Sequence, residues 1–372
     1  MTIIDYLSCD ICGIKSPLQN NHEHPELEIG GVPLNIWTPV YSERPSSLLY
    51  DTSKTGIARY GNHLAFLADA SVCYTEGSTP LYRLETIEGD ANFFIKDESC
   101  NPTRSFKDRG MALLVSDALR QGYKTIAIPS TGNAAISLGY YASRAGIQNM
   151  IFIPEGTPAS KIELIKQHSQ IQFDKDLIES YEHFFRFCRS HPDVYNGFPA
   201  TNLPYLEGMK TTAYEIFQQF SGGVPDWIIV PVGSGGNIVG MYNGFKDLFE
   251  CGAISVLPRI MAVQIEGADP IAYGFRKGIE DKVVVLETMA ESQAEAIASD
   301  TCFNYLKIIN LLKKTGGVPV SVTDEEIESF YDQQDLPRLE FSSCSVFAAA
   351  IKAEEIQKGQ NVVLIGTAGR KG

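Results

Sequence analysis

At 372 residues, with 44% hydrophobic and 20% charged content, the chain is long enough for two domains with substantial cores and has an ordinary globular composition. A formal net charge of -14 gives no long-range attraction for nucleic acid or an anionic membrane, so an anionic ligand must be caught locally by backbone amides and a few placed cations. No apolar run approaches bilayer length, Met1 to Gly13 carries no charged-then-apolar leader, and the eight cysteines are scattered as reduced thiols are; the expectation is a cytoplasmic protein without a membrane or nucleic-acid partner.

Residues 1–73 show Pro and Ser clustered around Val40 to Ser53 and no strand–helix rhythm, and are read as an extension packing on a catalytic body of residues 74–372. From about Tyr74 onward, apolar and amphipathic runs alternate. Phe93 to Lys96 and Thr125 to Ser130 read as strands, with a helix from about Asn133 to Arg144 closed by Gly146. Met150 to Pro154 is a further strand, followed by a helix from Ser160 to His168 with Ser160 as its cap. Leu206, Met209, Ala213, Phe217 and Phe220 recur at helical spacing. Asp226 to Val232 is the cleanest strand; a glycine-rich turn and a helix to about Phe249 follow, then buried strands at Ile260 to Ile265 and Val362 to Gly366. Such alternation predicts an α/β fold of mostly parallel sheets with helices on both faces, where ligands bind beyond the carboxyl ends of the strands.

Four segments at strand ends carry candidate chemistry. Lys107 lies in Asn101-Pro-Thr-Arg-Ser-Phe-Lys-Asp-Arg-Gly110, a polar, glycine-ended turn where an amine can hold an aldehyde cofactor as a Schiff base. That use requires a lysine that is neutral part of the time, through burial or a nearby cation. Arg104 and Asp108 fit a solvated helix start with a local ion pair, whereas Arg109 is a candidate for an anionic ligand. In Pro231 to Gly240, the glycines of Gly233-Ser-Gly-Gly-Asn237 can turn backbone amides toward one point at a helix start, which suits a phosphate dianion. This loop lacks the spacing of a nucleotide or dinucleotide motif. Ser130-Thr-Gly-Asn133 can hold a carboxylate with Ser130, Thr131 and Gly132, although Ser, Thr and Asn are also the ordinary helix caps. Thr367, after the last strand, can offer a neutral hydroxyl to a pyridine nitrogen.

Together these residues resemble pyridoxal-phosphate enzymes of fold type II, the tryptophan synthase beta family, and within it the threonine synthases. Asn101-Pro-Thr and Ser105 to Gly110 carry the most specific part of the likeness; Glu76 to Leu81, Ser130 to Asn133, Gly233 to Asn237 and Val322 to Glu326 add to it. The resemblance implies pyridoxal 5′-phosphate as cofactor, with Lys107 as its lysine and proton shuttle and Phe106 beside it. It implies Asn133 on the 3′ oxygen, Gly233, Ser234, Gly235, Gly236 and Asn237 on the phosphate, and Thr367 on the ring nitrogen. A small domain of about Gly110 to Asn202 inserted in a larger one, and a homodimer, are implied too. The implied reaction converts O-phospho-L-homoserine and water to L-threonine and phosphate. A beta-elimination or beta-replacement on threonine, serine or O-phosphoserine is the alternative. By family position, Lys96, Ser105, Arg109 and Asn202 are candidates for the substrate phosphate. Two segments depart from the family: Thr367 to Gly372, and Glu340-Phe-Ser-Ser-Cys-Ser345.

Cys9-Asp-Ile-Cys12-Gly13, with His22 and His24, suggests half a zinc knuckle, but no second C-x-x-C follows, so no metal is expected. His63, His168, His183 and His191 show no ligand spacing.

Overall fold

The computed structural model describes residues 2–10, 12–17, 28–29, 32–73, 75–87 and 89–371. In chain order, β1 (Ile3–Cys9), β2 (Lys15–Ser16), β3 (Glu28–Ile29), β4 (Val32–Pro33) and β5 (Trp37–Glu43) come first, followed by β6 (Leu81–Arg83) and β7 (Asn92–Asp97). Helix α1 (Lys107–Arg120) opens the alternating region, with β8 (Thr125–Pro129), α2 (Asn133–Ala145), β9 (Gln148–Pro154), α3 (Ala159–Lys166) and β10 (Gln170–Asp174). Helix α4 (Leu177–Ser190), β11 (Val194–Asn196), α5 (Leu203–Gln219), β12 (Trp227–Pro231), α6 (Gly236–Glu250) and β13 (Arg259–Ile265) continue it. Helices α7 (Pro270–Lys277) and α8 (Tyr305–Thr315), β14 (Val318–Val322), α9 (Asp324–Tyr331), α10 (Phe341–Lys352) and β15 (Asn361–Gly366) complete the chain. Two compact units result: Met1–Ser78 with Lys107–Thr211, and Thr79–Phe106 with Thr212–Gly372.

In the first unit, β10-β9-β8-β11 form an all-parallel sheet. Ile126, Ile128, Ile151 and Ile153 are buried in its strands, and Met111, Leu114, Leu138 and Phe184 are buried on the helices. Helix α2 ends where Gly146 adopts φ 64°, the left-handed conformation that a glycine enters without a Cβ penalty. Ser160 is not a cap: α3 starts at Ala159 behind Pro158, which makes no side-chain cap bond.

The amino-terminal residues are more ordered than their sequence suggests. β2-β1-β5 form an antiparallel sheet. Register shifts between Ile3 and Ile4, and between Ile4 and Tyr6, break the two-residue alternation, so Ile4 and Leu7 are both buried although three apart. Tyr41 of β5 donates to Glu207 Oε1 at 2.6 Å and accepts from Lys210 Nζ at 2.7 Å, tying this sheet to α5. After β1, the Cys9 turn is closed by Gly13 N–H to Cys9 O and Cys9 N–H to Ile14 O, each 2.9 Å. His22 and His24 lie outside the described residues, as does Tyr74; among the described residues no cluster of three or more His, Cys, Asp or Glu could hold a metal ion.

In the second unit the order is β14-β13-β12-β15-β7-β6, parallel throughout except for the edge strand β6. The five residues Trp227-Ile-Ile-Val-Pro231 of β12 are all buried, as a central parallel strand requires. Trp227, Ile229, Met261, Val263 and Leu364 pack with Val346 and Phe347 of α10 in one core. Thr323 and Glu326 form a reciprocal capping box at α9. No helix among the described residues is long and apolar enough to cross a membrane.

Candidate active site

In the first unit, Lys107 is the first residue of α1 and half-buried. Its Nζ stands 5.9 Å from the ring centroid of Tyr205 in α5. Close approach of these helices depends on two glycines: a Cβ on Gly110 would meet the Tyr205 ring at 2.4 Å, and one on Gly208 would meet the Arg109 carbonyl oxygen at 2.2 Å. The residues after Lys107 are not a solvated helix start. Asp108 is buried and accepts from Ser137 Oγ of α2 at 2.6 Å, while the buried Arg109 donates Nη1 to Thr211 at 3.0 Å. Burial, with the Asp108 carboxylate beside it, holds the Tyr205 phenol well above its ordinary range, so it stays neutral; its hydroxyl is buried without a hydrogen-bond partner.

The Ser130–Asn133 turn joins β8 to α2. Gly132 takes the N-cap position, where Ser, Thr or Asn is the ordinary choice. Ser130 Oγ instead accepts from Gly132 N–H at 3.3 Å, and Asn133 is the first residue of α2. Asn202 is hydrogen-bonded within the unit. Its Oδ1 accepts from Tyr205 N–H at 3.0 Å ahead of α5, and its Nδ2 donates to Asn196 O and Tyr195 Oη, both at 3.3 Å.

In the second unit, β12 runs into the Gly233–Asn237 loop and α6. A Cβ on Gly233 would lie 2.3 Å from Ala296 O. Gly235 has φ 85°, and a Cβ there would meet Ile308, Asn304 and Cys302 at 2.6–3.1 Å. The loop is therefore glycine by necessity, with the N-terminus of the 15-residue helix α6 opening directly after it. Asn237 is 6% exposed, and neither its Nδ2 nor its Oδ1 has a hydrogen-bond partner. A buried amide without partners is costly unless something else satisfies it.

At the exit of β15, the segment ahead of Lys107 is zipped to the chain end. Ser105 is buried and bridges Ala368, and Phe106 N–H donates to Thr367 O at 2.9 Å. Thr367 Oγ1 lies 2.5 Å from Ser343 Oγ, which also accepts from Ala368 N–H at 2.9 Å. Segments 340–345 and 367–372 thus meet here, with Ser343 bracing Thr367. Arg370 completes the packing, with its guanidinium 3.5 Å from the Tyr331 centroid, Nε donating to Leu339 O at 3.1 Å and Nη1 paired with Asp332 at 2.8 Å.

Lys96 does not present its ammonium at a pocket mouth. It is 0% exposed, ion-paired to Glu215 at 2.7 Å, and donates to Thr79 O and to Gln219 Oε1 at 2.5 and 2.9 Å. Ser343 and Tyr205 were not found by sequence reasoning. Ser343 belongs to a short polar run in the first turn of the alanine-rich helix α10, and nothing in that run announces a partner 24 residues later.

A family described as "Pyridoxal-phosphate dependent enzyme" matches residues 72–368. The chain belongs to that family. It is threonine synthase-like: it is 35% identical to the threonine synthase of Methanosarcina acetivorans over 72% of this chain and 66% of that protein. It is 35% identical to that of Methanocaldococcus jannaschii (73% and 68%) and 33% identical to that of Halalkalibacterium halodurans (78% and 82%). The aligned region thus spans only about two thirds of the two archaeal relatives. Among solved structures, maize serine racemase aligns with TM-score 0.68 at 23% identity, over 79% of this chain and 88% of that one. A fungal L-serine ammonia-lyase from Rhizomucor miehei aligns with TM-score 0.67 at 21% identity, over 79% and 94%. These likenesses establish the type II fold.

The residues of this pyridoxal-phosphate enzyme fit its cofactor. A glycine cradle at a helix start, with an unpartnered buried amide at Asn237, has the donor chemistry that an ester dianion needs. Gly233→Ala, which drives a methyl group against Ala296 O, is expected to lower retention of pyridoxal phosphate at least about tenfold, read as bound cofactor per chain after gel filtration. Unchanged retention would remove the loop from the cofactor site.

Proposed function

We propose that the chain converts O-phospho-L-homoserine and water to L-threonine and phosphate. The observation carrying this reading is its 33–35% identity to threonine synthases of archaea and a bacterium over 72–78% of this chain.

Pyridoxal phosphate supplies a ring that stabilises negative charge at the substrate's α carbon. Lys107 is the attachment lysine, with Phe106 beside the ring, and its Nζ takes and returns protons at the substrate's carbon chain. Ser130, Thr131 and Gly132, at the start of α2, hold the substrate carboxylate, and Asn133 donates to the cofactor's 3′ oxygen. Gly233 to Asn237 hold the ester phosphate. Thr367, braced by Ser343, sets a neutral hydroxyl at the ring nitrogen, which leaves that nitrogen less protonated than a carboxylate would. Ser105 and Arg109 are assigned to the substrate phosphate. Lys96, its ammonium enclosed by Glu215, Thr79 and Gln219, and Asn202, bonded through both ends of its amide, are assigned to the scaffold instead; Arg109, whose Nη1 donates to Thr211, keeps its assignment by family position alone.

We assign the family's small domain to about Gly110–Asn202, within the first unit, and propose a homodimer acting in the cytoplasm. The absence of disulfides among the described residues supports a reducing compartment. Sedimentation of the purified chain at a monomer's mass would refute the dimer, and fractionation of cells that finds the protein outside the cytoplasm would refute the location.

Assays of the purified holoenzyme with O-phosphohomoserine, O-phosphoserine, threonine and serine in parallel separate this activity from elimination. Threonine and phosphate from O-phosphohomoserine are the expected products. Keto-acid release from serine or threonine, with no threonine formed, would replace the synthase reading with a beta-eliminase.

A further inference from the structure

We propose that Asn304 is a positioning residue for the cofactor's ester phosphate, acting through the carbonyl of Ser234; the proposal rests on the reading of Gly233–Asn237 as the phosphate loop. Asn304 is buried and occupies the N-cap position of α8, where an asparagine ordinarily accepts from a backbone N–H of the first helical turn. Here its side chain makes no cap bond. Its Nδ2 instead donates to Ser234 O at 2.7 Å, 70 residues away in sequence.

That diversion fixes the direction of a peptide. In a trans peptide the carbonyl and the following N–H lie in one plane and point in opposite directions. With the Ser234 carbonyl drawn toward Asn304, the Gly235 N–H is turned away from it. The same residues form a wall behind the loop: Asn304 Cβ, Ile308 Cδ1 and Cys302 Sγ lie 2.8, 2.6 and 3.1 Å from where a Gly235 Cβ would be. Gly235 itself has φ 85°, the left-handed conformation a glycine adopts without a Cβ penalty. Asn304 therefore presets the loop's amide before any anion arrives, and the phosphate meets a donor that needs no reorientation.

The test compares pyridoxal phosphate with pyridoxal, which carries the same aldehyde and ring without the ester. Both are titrated, by absorbance, into holoenzyme stripped of cofactor, for the wild type, for Asn304→Leu, which keeps the approximate shape and removes the donor, and for Asn304→Ala. Circular dichroism checks that each variant is folded. The expected result is an affinity for pyridoxal phosphate about tenfold weaker in both variants, with affinity for pyridoxal changed less than twofold. Equal weakening for both ligands would assign Asn304 a general structural role and overturn the proposal. So would unchanged affinity for pyridoxal phosphate. A wild type that binds both ligands equally, with no competition from inorganic phosphate, would refute the phosphate loop itself and the proposal with it.

Discussion

Lys107→Ala is expected to abolish formation of threonine from O-phosphohomoserine, with turnover falling at least about 10³-fold, the scale of a lost general acid–base group before loss of the covalent anchor is counted. Lys107→Arg should be equally inactive, because it restores charge but not a nucleophilic, titratable amine. The Gly233–Asn237 loop is untouched in both variants, so pyridoxal phosphate should still bind, without covalent attachment. Borohydride reduction of the wild type followed by peptide mass analysis should place the cofactor's mass on the peptide that contains Lys107. Turnover within tenfold of wild type, or the mass on another lysine, would end the assignment. Lys96 is the informative comparison, being a lysine eleven positions earlier whose ammonium is sealed against Glu215.

The largest effect on stability is expected at that pair. Lys96→Met removes, from a buried site, the cation that pairs with the Glu215 carboxylate at 2.7 Å; Glu98 is buried close by, accepting from Thr79 Oγ1 at 2.7 Å and from Asn101 Nδ2 at 2.8 Å. Breaking one side of a buried pair costs about 3–5 kcal/mol, whereas replacing both members with apolar groups is often nearly neutral. The double variant Lys96→Met/Glu215→Leu should therefore recover most of the stability lost by Lys96→Met, read as midpoints of urea unfolding at fixed cofactor concentration. If Lys96→Met leaves the midpoint unchanged and raises only the KM for O-phosphohomoserine, Lys96 belongs to the substrate site after all. The pair also has a positioning consequence. Lys96 is in β7, and the turn that leaves this strand leads through Glu98 and Asn101 to Ser105 and Phe106, which pair with the exit of β15. The lysine motif starts from a strand end that this ion pair helps to fix.

Much of the frame was legible because its signals are local. Apolar runs such as Trp227 to Pro231, alternating with amphipathic helices, suit strands buried on both faces of a parallel sheet, and Gly146 and Gly235 mark backbone that residues with a Cβ avoid. The amino-terminal sheet was not legible, since its register shifts disrupt the alternation by which a half-buried strand is recognised. Helix starts were uneven. Thr323 and Glu326 cap α9 as their spacing suggests, yet in the Ser130–Asn133 turn, richer in capping residues, the N-cap position falls to Gly132.

From residue order alone came the α/β alternation, the glycine loop after β12, the Lys107 motif and the pyridoxal-phosphate family, because strand period, backbone permissiveness and motif spacing are properties of neighbouring residues. Tertiary structure alone decided which polar side chains find internal partners distant in sequence. Lys96 and Glu215 are 119 residues apart, Arg109 and Thr211 are 102, and Asn304 and Ser234 are 70. A lysine, arginine or asparagine reads the same on the page whether it faces solvent or a buried partner, since desolvation and hydrogen bonding are set by what folding brings beside it.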